Sequence, residues 1–322
     1  MLRQENKMKV SVIGAGAVGV SVCQYLLLNG ACDNLVLVDL NDEKAKGEIL
    51  DFGHTTSLTF SRNVKLTHGH YADCAGSRLV IITAGAQIKQ GQTRDELAQI
   101  NARITVEIAR ELERVAPEAI LLFATNPVDL VTRFVIRNTG YPAERVISAG
   151  CVLDSARFMK IVADQVGLDP KNVMGYVLGE HGKTSFIPWS ITNIGGLTLD
   201  AWCDMVGRPR LDPAQLLEEV KQAGFEIFQR KQNTNHGIAA SLYRIVQAIL
   251  FNEGSILSIG VLLNGQYGIE DCVLSVPTLV TSRGVEQILE YPLTPNELVQ
   301  LQQSAAYLQQ LATQVSQASG LK

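Results

Sequence analysis

Near the middle of the chain, His181 in Val177-Leu178-Gly179-Glu180-His181-Gly182 is the side chain best suited to carry a proton back and forth. Its ordinary pKa lies between pH 5 and 8, so it gains and releases a proton without a large imposed shift. Taken alone, a histidine in an apolar stretch is more often a satisfied core residue or a chance surface one. Its company elsewhere in the chain sharpens the choice. Asp154 and Arg157 stand three residues apart in a stretch, Leu153 through Val166, whose apolar spacing predicts a helix, so they share one face. An i,i+3 ion pair on the surface is one reading. The other is that Asp154 orients the histidine while the planar fork of Arg157 grips a substrate carboxylate bidentately. Arg94 ends a polar, glycine-containing segment from Gln87 to Gln92, and is either an exposed helix N-terminal residue or the arm of a mobile lid.

Such residues need elements to hold them, and the first half of the chain supplies a cofactor cradle. Met8 to Ile13 reads as a buried strand that runs into Gly14-Ala15-Gly16-Ala17-Val18-Gly19 and then an apolar-periodic helix to about Leu28. A glycine pattern of this kind alone is only a flexible turn. Here Asn34 to Asp39 forms a second strand ending in an acid about twenty residues beyond Gly19, which is the context of a dinucleotide-binding unit. Gly14 permits the tight turn, Gly16 lets backbone approach a pyrophosphate at the helix N-terminus, and Gly19 lets helix and strand pack closely. Asp39 is placed to accept from the adenosine ribose hydroxyls and to repel a 2′-phosphate, so the expected cofactor is NAD. Further strands near Val64 to Leu66, Leu79 to Ile82 and Ala119 to Phe123 alternate with helical stretches at 42–52 and 93–115, the rhythm of a parallel doubly wound sheet. Ligands of such sheets lie beyond the strand carboxyl ends, so Thr83, Ala84, Gly85 and Ala86, with Ala124 and Asn126, should face the same crevice.

The expected architecture is therefore α/β: a Rossmann domain at 8–149, then a mixed α+β catalytic domain at 150–322. In the second part the strand–helix alternation fades. Helices are expected around 213–229 and from Thr234 to Asn252, with apolar strands at 255–263 and 272–280 and a C-terminal helix. A length of 322 residues accommodates two such units. Composition is ordinary, with 46% hydrophobic and 19% charged residues. A net charge of −4 offers no basic field for nucleic acid or an anionic membrane, which leaves small molecules and other protein chains as expected partners. The cysteines, at 23, 32, 74, 151, 203 and 272, have no metal-type spacing and suit a reducing cytosol. No metal is expected, and neither an export signal nor an apolar run of about 18 residues is visible.

Taken in order, Gly14 to Gly19, Ile82-Thr83-Ala84-Gly85-Ala86, Gly91-Gln92-Thr93-Arg94, Ala124-Thr125-Asn126-Pro127-Val128-Asp129, Val152-Leu153-Asp154-Ser155-Ala156-Arg157-Phe158 and Leu178-Gly179-Glu180-His181-Gly182 resemble the lactate/malate dehydrogenases across almost the whole chain. The resemblance implies that His181 donates a proton to a 2-oxo oxygen as hydride arrives from the nicotinamide, with Asp154 fixing its tautomer. It implies that Arg94 closes over the carbonyl, that Arg157 anchors the carboxylate with Asn126 beside the carbonyl, and that Thr234 lines the pocket. It also implies a homodimer or homotetramer.

Two positions depart from the pattern. Where lactate enzymes of the family usually carry glutamine and malate enzymes arginine, this chain has Ile88. A second substrate carboxylate facing isoleucine would lose its ion pair at a cost of several kcal/mol, which disfavours malate. L-lactate dehydrogenase is the nearest activity, a longer aliphatic acid such as 2-oxoisocaproate is the alternative, and Gln87 restores a lactate-like contact if the lid shifts. Members activated by fructose 1,6-bisphosphate carry an arginine and a histidine at positions that here hold Met159 and Met174, so that activator site is expected to be absent. A glycosidase dependent on NAD and a metal, and a non-catalytic NAD-binding protein, are the competing functions. The intact set of His181, Asp154, Arg157 and Arg94 favours the dehydrogenase.

Overall fold

The computed structural model describes residues 8–58, 63–87, 91 and 93–322, and for Arg94 its backbone alone. Short strands rich in β-branched residues and leucine alternate with amphipathic helices through the first half. They run as β1 (Lys9–Ile13), α1 (Ala17–Leu28), β2 (Asn34–Val38), α2 (Asp42–Thr55), β3 (Lys65–His68), β4 (Leu79–Ile82), α3 (Arg94–Val115), β5 (Ile120–Phe123), α4 (Val128–Asn138) and β6 (Val146–Ser148). The second half holds α5 (Val152–Val166), a two-stranded patch of β7 (Val173–Met174) with β8 (Asn193–Ile194), then α6 (Leu199–Val206), α7 (Pro213–Lys231) and α8 (His236–Leu250). It ends with β9 (Ser255–Asn264), β10 (Glu270–Thr281), β11 (Gly284–Ile288) and α9 (Pro295–Ser319).

One sheet runs through both halves, in the order β11-β10-β9-β6-β5-β4-β1-β2-β3. The six strands β1 to β6 are parallel in the doubly wound order, and β9 joins antiparallel at the β6 edge through Ser148 opposite Gly260. The expected junction near Gly150 falls between β6 and α5, yet the strands foreseen at 255–263 and 272–280 extend the first half's sheet rather than building a separate one. The long helix foreseen from Thr234 begins two residues later, at His236, behind Asn235.

Alternation along each buried strand divides the core between the two faces. Val10, Val12, Leu79, Ile81, Ile120 and Leu122 pack with α1 and α8 on one side. Val80, Ile82, Leu121 and Phe123 pack with α3 and α4 on the other. A third cluster, around Phe158, Val162 and Val220, joins α5 to α7. All six cysteines are buried. Among the described residues no helix is long and apolar enough to cross a membrane.

Candidate active site

The carboxyl ends of β1, β2, β4, β5 and β6 open onto one crevice. Gly14, with φ of +110°, makes the turn out of β1, and a Cβ there would lie 2.7 Å from the Ala84 nitrogen and 2.8 Å from Thr83 Oγ1. A Cβ on Gly19 would lie 1.9 Å from the Gly14 carbonyl oxygen, so helix α1 sits against the turn only as glycine. At Gly16 nothing lies within 4 Å of such an atom, and Gly16 and Ala17 are exposed with Val18 half-buried behind them. The start of α1 has no side-chain cap, leaving its first amides directed at the open space. These features fit a bound pyrophosphate. Asp39, at the end of β2, accepts hydrogen bonds from the amides of Ala15 at 2.6 Å and Asn41 at 2.8 Å. Besides being placed for a ribose, it ties the glycine turn to the second strand, a role the sequence did not disclose.

Thr83, Ala84, Gly85 and Ala86 lie across from this turn. Thr83 Oγ1 donates to the Gly14 carbonyl, and Thr125 Oγ1 to that of Ala84 at 2.7 Å. Gly85 has to be glycine, since a Cβ would meet Thr125 Cγ2 at 2.4 Å. Asn101 was not foreseen. Fully buried on α3, its side chain accepts from the Ala86 amide at 2.7 Å and donates to the carbonyl of Asn126 at 2.7 Å. It thereby joins the loop after β4 to the loop after β5, from which the Asn126 side chain emerges exposed beside Ala124. Ile88 lies outside the described residues, as does the side chain of Arg94. The Arg94 backbone is the first residue of α3, anchored by a reciprocal cap in which Thr93 Oγ1 accepts from the Glu96 amide and the Glu96 carboxylate from the Thr93 amide.

Asp154, Arg157 and His181, drawn from two separate stretches of the chain, meet one another. Asp154 occupies the first turn of α5, where the helix dipole favours negative charge. Its Oδ2 lies 2.6 Å from His181 Nδ1 and its Oδ1 accepts from Arg157 at 3.0 Å. The side chains of Asp154 and Arg157 are 11% and 17% exposed, which removes the surface-pair reading. Burial drives the Asp154 carboxyl upward, but the charges and hydrogen bonds of His181 and Arg157 outweigh it and leave the pKa below the usual value. The Asp154 charge in turn raises His181 to about 9 against the opposing effect of burial. With Nδ1 committed to Asp154, Nε2 is the ring nitrogen that can face a substrate. Cys151 Sγ lies close enough to complete a possible metal-ligating trio with these two residues. Burial holds that thiol protonated, however, and Nδ1 and Oδ2 are bonded to each other.

The loop carrying His181 is fixed from three directions. Gly179 exchanges backbone hydrogen bonds with Ser275 on β10 at 3.0 and 2.9 Å. Ser304 of α9 accepts from the Glu180 amide at 2.8 Å and stands 2.9 Å from where a Gly179 Cβ would be. The His181 amide donates to Asp129 of α4 at 2.7 Å. Arg157 has room because α7 passes it at Gly224, where a Cβ would sit 3.3 Å from the guanidinium. Thr234 lies half-buried before α8, three residues from Gly237, itself against Leu153.

The arrangement joins a dinucleotide cradle to a charged His–Asp pair with an arginine alongside, which suits hydride transfer coupled to proton transfer on a carboxylate-bearing substrate. Comparison with known proteins agrees. Residues 8–148 match the lactate/malate dehydrogenase NAD binding domain, and residues 151–318 the lactate/malate dehydrogenase alpha/beta C-terminal domain. The L-lactate dehydrogenase of Acetivibrio thermocellus is 41% identical over 305 residues, 94% of this chain and 96% of that one. That of Priestia megaterium is 41% identical over 303 residues, covering 94% and 95%. The crystal structure of the minor L-lactate dehydrogenase from Enterococcus mundtii in its ligands-bound form superposes with a TM-score of 0.92 at 38% identity, over 96% of this chain and 98% of that one. With both of its parts matched and its glycine turn, Asp154, Arg157 and His181 in the order the sequence pattern anticipates, the chain belongs to the lactate/malate dehydrogenase family.

Proposed function

We propose that the protein is an NAD-dependent L-lactate dehydrogenase, interconverting pyruvate and L-lactate. The observation that carries this is the double use of Asp154, which holds His181 Nδ1 on one oxygen and Arg157 on the other. Gly14, Gly16, Ala17, Val18, Gly19, Asp39, Thr83 to Ala86, Ala124 and Asn126 would hold the cofactor, which when bound supplies and recovers the hydride. Arg157 pairs with the substrate carboxylate through its planar guanidinium, fixing which face of the oxo carbon is presented. Nε2 of His181 donates a proton to the oxo oxygen in reduction and takes it back in oxidation. Asp154 keeps the ring in the tautomer that exposes Nε2 and stabilises the imidazolium before the proton leaves. Arg94 and Asn126 add positive potential and a hydrogen bond where negative charge develops, and Thr234 closes the pocket wall.

Ile88 supports a second substrate class, the longer aliphatic 2-oxo acids, because an uncharged branched side chain at the selecting position favours apolar substituents and disfavours oxaloacetate. We further infer a boundary between cofactor and substrate units at 149/150, a cytosolic location, supported by six buried cysteines whose spacing suggests no secreted framework, and assembly into dimers or tetramers. Exposed Leu28, Leu50, Phe225 and Phe228 supply apolar surface for such an assembly, which sedimentation would detect. The test of function is NADH oxidation over a panel of pyruvate, 2-oxoisocaproate and oxaloacetate, with His181→Asn as control. Turnover of the first, lost in the variant while NADH still binds, is expected; no turnover of any 2-oxo acid would make this a non-catalytic NAD-binding protein.

A further inference from the structure

We propose that Asp129 is a positioning residue for the reaction, setting His181 from behind by accepting the hydrogen bond of its backbone amide. Asp129 lies at the start of α4 with 2% of its surface exposed, and its Oδ2 is 2.7 Å from the His181 nitrogen. Its Oδ1 accepts from Ser148 Oγ at 3.0 Å, on the last residue of β6. The sheet keeps space for this pair: a Cβ on Gly260 of β9 would fall 2.0 Å from Ser148 Oγ and 2.6 Å from Asp129 Oδ1. His181 is thus held by two carboxylates, Asp154 at the ring and Asp129 at the main chain, which arrive on different helices.

An acceptor for one amide does not need a charge, and a buried charge is costly. Burial pushes the Asp129 carboxyl up to about 6, partly offset by the His181 amide, the imidazolium and the Ser148 hydroxyl, while Glu180 pushes it further up. At neutral pH the group is ionised in spite of that burial, and its charge is one of those that favour protonated His181. The other ionisable neighbours do not supply this effect. Cys151 at the cap of α5 and Cys272 on β10 are thiols kept protonated by burial. Arg133, one turn further along α4, is engaged with Asp271. Arg157 works against the imidazolium. The Asp129 charge therefore adds to that of Asp154 in holding the proton on the ring until a substrate takes it.

This rests on His181 as the proton donor, so the test reads the imidazole directly as well as the rate. The whole protein, labelled with 13C-histidine, is titrated by NMR, with the His181 signal assigned by its loss in His181→Asn. The unmodified protein should show a main step near 9 and a smaller inflection near 6, where Asp129 ionises. In Asp129→Asn, which keeps an acceptor but not the charge, the inflection should vanish and the main step fall by roughly half to one pH unit. The alkaline limb of kcat/KM for pyruvate should fall with it, and NADH affinity should stay within about twofold. A single-step titration in the unmodified protein overturns the proposal, and that result is available even if Asp129→Asn does not fold. So does an Asp129→Asn variant slowed equally at every pH with its main step unmoved, the behaviour of simple structural support. Absence of pyruvate turnover with both titration steps intact would sink the catalytic reading and leave the hold of Asp129 on His181 standing.

Discussion

Asp154→Asn tests the site at the point where its electrostatics converge. The Asp154 charge is the largest influence raising His181 to about 9, and burial acts in the opposite sense. Removing the charge while keeping the shape should return the imidazole to its ordinary value of about 6.5 or lower, a fall of about 3 kcal/mol in its hold on the proton. At pH 7.5 the unmodified histidine is almost wholly protonated, and in the variant roughly one molecule in ten or fewer would be. Pyruvate reduction should therefore lose at least about tenfold in kcat/KM at pH 7.5 and recover substantially near pH 5.5, with KM also raised because Arg157 loses the charge that orients it. The assay is kcat/KM for pyruvate between pH 5 and 10, with NADH affinity measured in parallel and expected unchanged. An alkaline limb still near 9, with rates within about threefold of the original, would refute the assignment of the proton to this pair. Stability should follow the same groups. His181, raised in the folded state, contributes stability that is full below about 6.5 and is lost as pH rises through about 9. Asp154, lowered in the folded state, contributes stability that is full above its ordinary value and is lost as pH falls through the folded one. In Asp154→Asn both contributions disappear together, and the thermal midpoint should become flatter between pH 7 and 9.

Asp39→Ser should relax the preference for NAD, since the carboxylate that would repel a 2′-phosphate is gone; an unchanged ratio of NAD to NADP efficiencies would refute this. It should also lower stability modestly, because the Ala15 and Asn41 amides lose their acceptor. Gly224→Val places a branched side chain against the Arg157 guanidinium, from which even a Cβ would be 3.3 Å, so KM for pyruvate should rise several-fold with kcat nearly unchanged. An unaltered KM would show that Arg157 does not hold the substrate from this position. Ile88→Arg should shift efficiency from pyruvate toward oxaloacetate by supplying a partner for its second carboxylate, and a ratio constant within about threefold would dismiss Ile88 as the selector. Fructose 1,6-bisphosphate should leave the pyruvate saturation curve unchanged, because Met159 and Met174 cannot bind phosphate; clear activation would place an effector site elsewhere.

Groups that come together through their own side chains are legible in the sequence. The glycine turn, Asp39 and the Asp154–Arg157 spacing follow from what one turn of chain must do, and strand–helix alternation located the sheet beneath them. The missing elements fall into two physical kinds. Strand β6 is three residues long and its antiparallel neighbour is more than a hundred residues away, so neither periodicity nor proximity announces the extension of the sheet through Ser148 and Gly260. Helix α4 leaves a signal of its own, since Val128, Val131 and Val135 recur at helical spacing with Leu130 and Phe134 beside them, but it starts directly behind the Asn126-Pro127 loop without a side-chain cap to mark it.

Asp129, Asn101 and Ser304 escaped for a different reason: each serves the main chain of a distant loop, and a sequence does not say whose amide or carbonyl a side chain will meet. All three nonetheless left a trace. Asp129 lies between Val128 and Leu130, Asn101 between Ala98 and Ala102 on the buried side of α3, and Ser304 between Leu301 and Leu308 on that of α9. A polar side chain on the apolar face of a helix is costly unless something satisfies it. Here the backbone loops of the active site satisfy all three. The same three residues would be expected to tolerate polar replacements of similar reach far better than apolar ones of similar size, because the unmet amide or carbonyl left behind costs about 1–3 kcal/mol at each position. On that basis Ser304→Thr should retain the fixed position of Glu180 and His181, and Ser304→Val, equal to threonine in bulk but unable to accept from the Glu180 amide, should not.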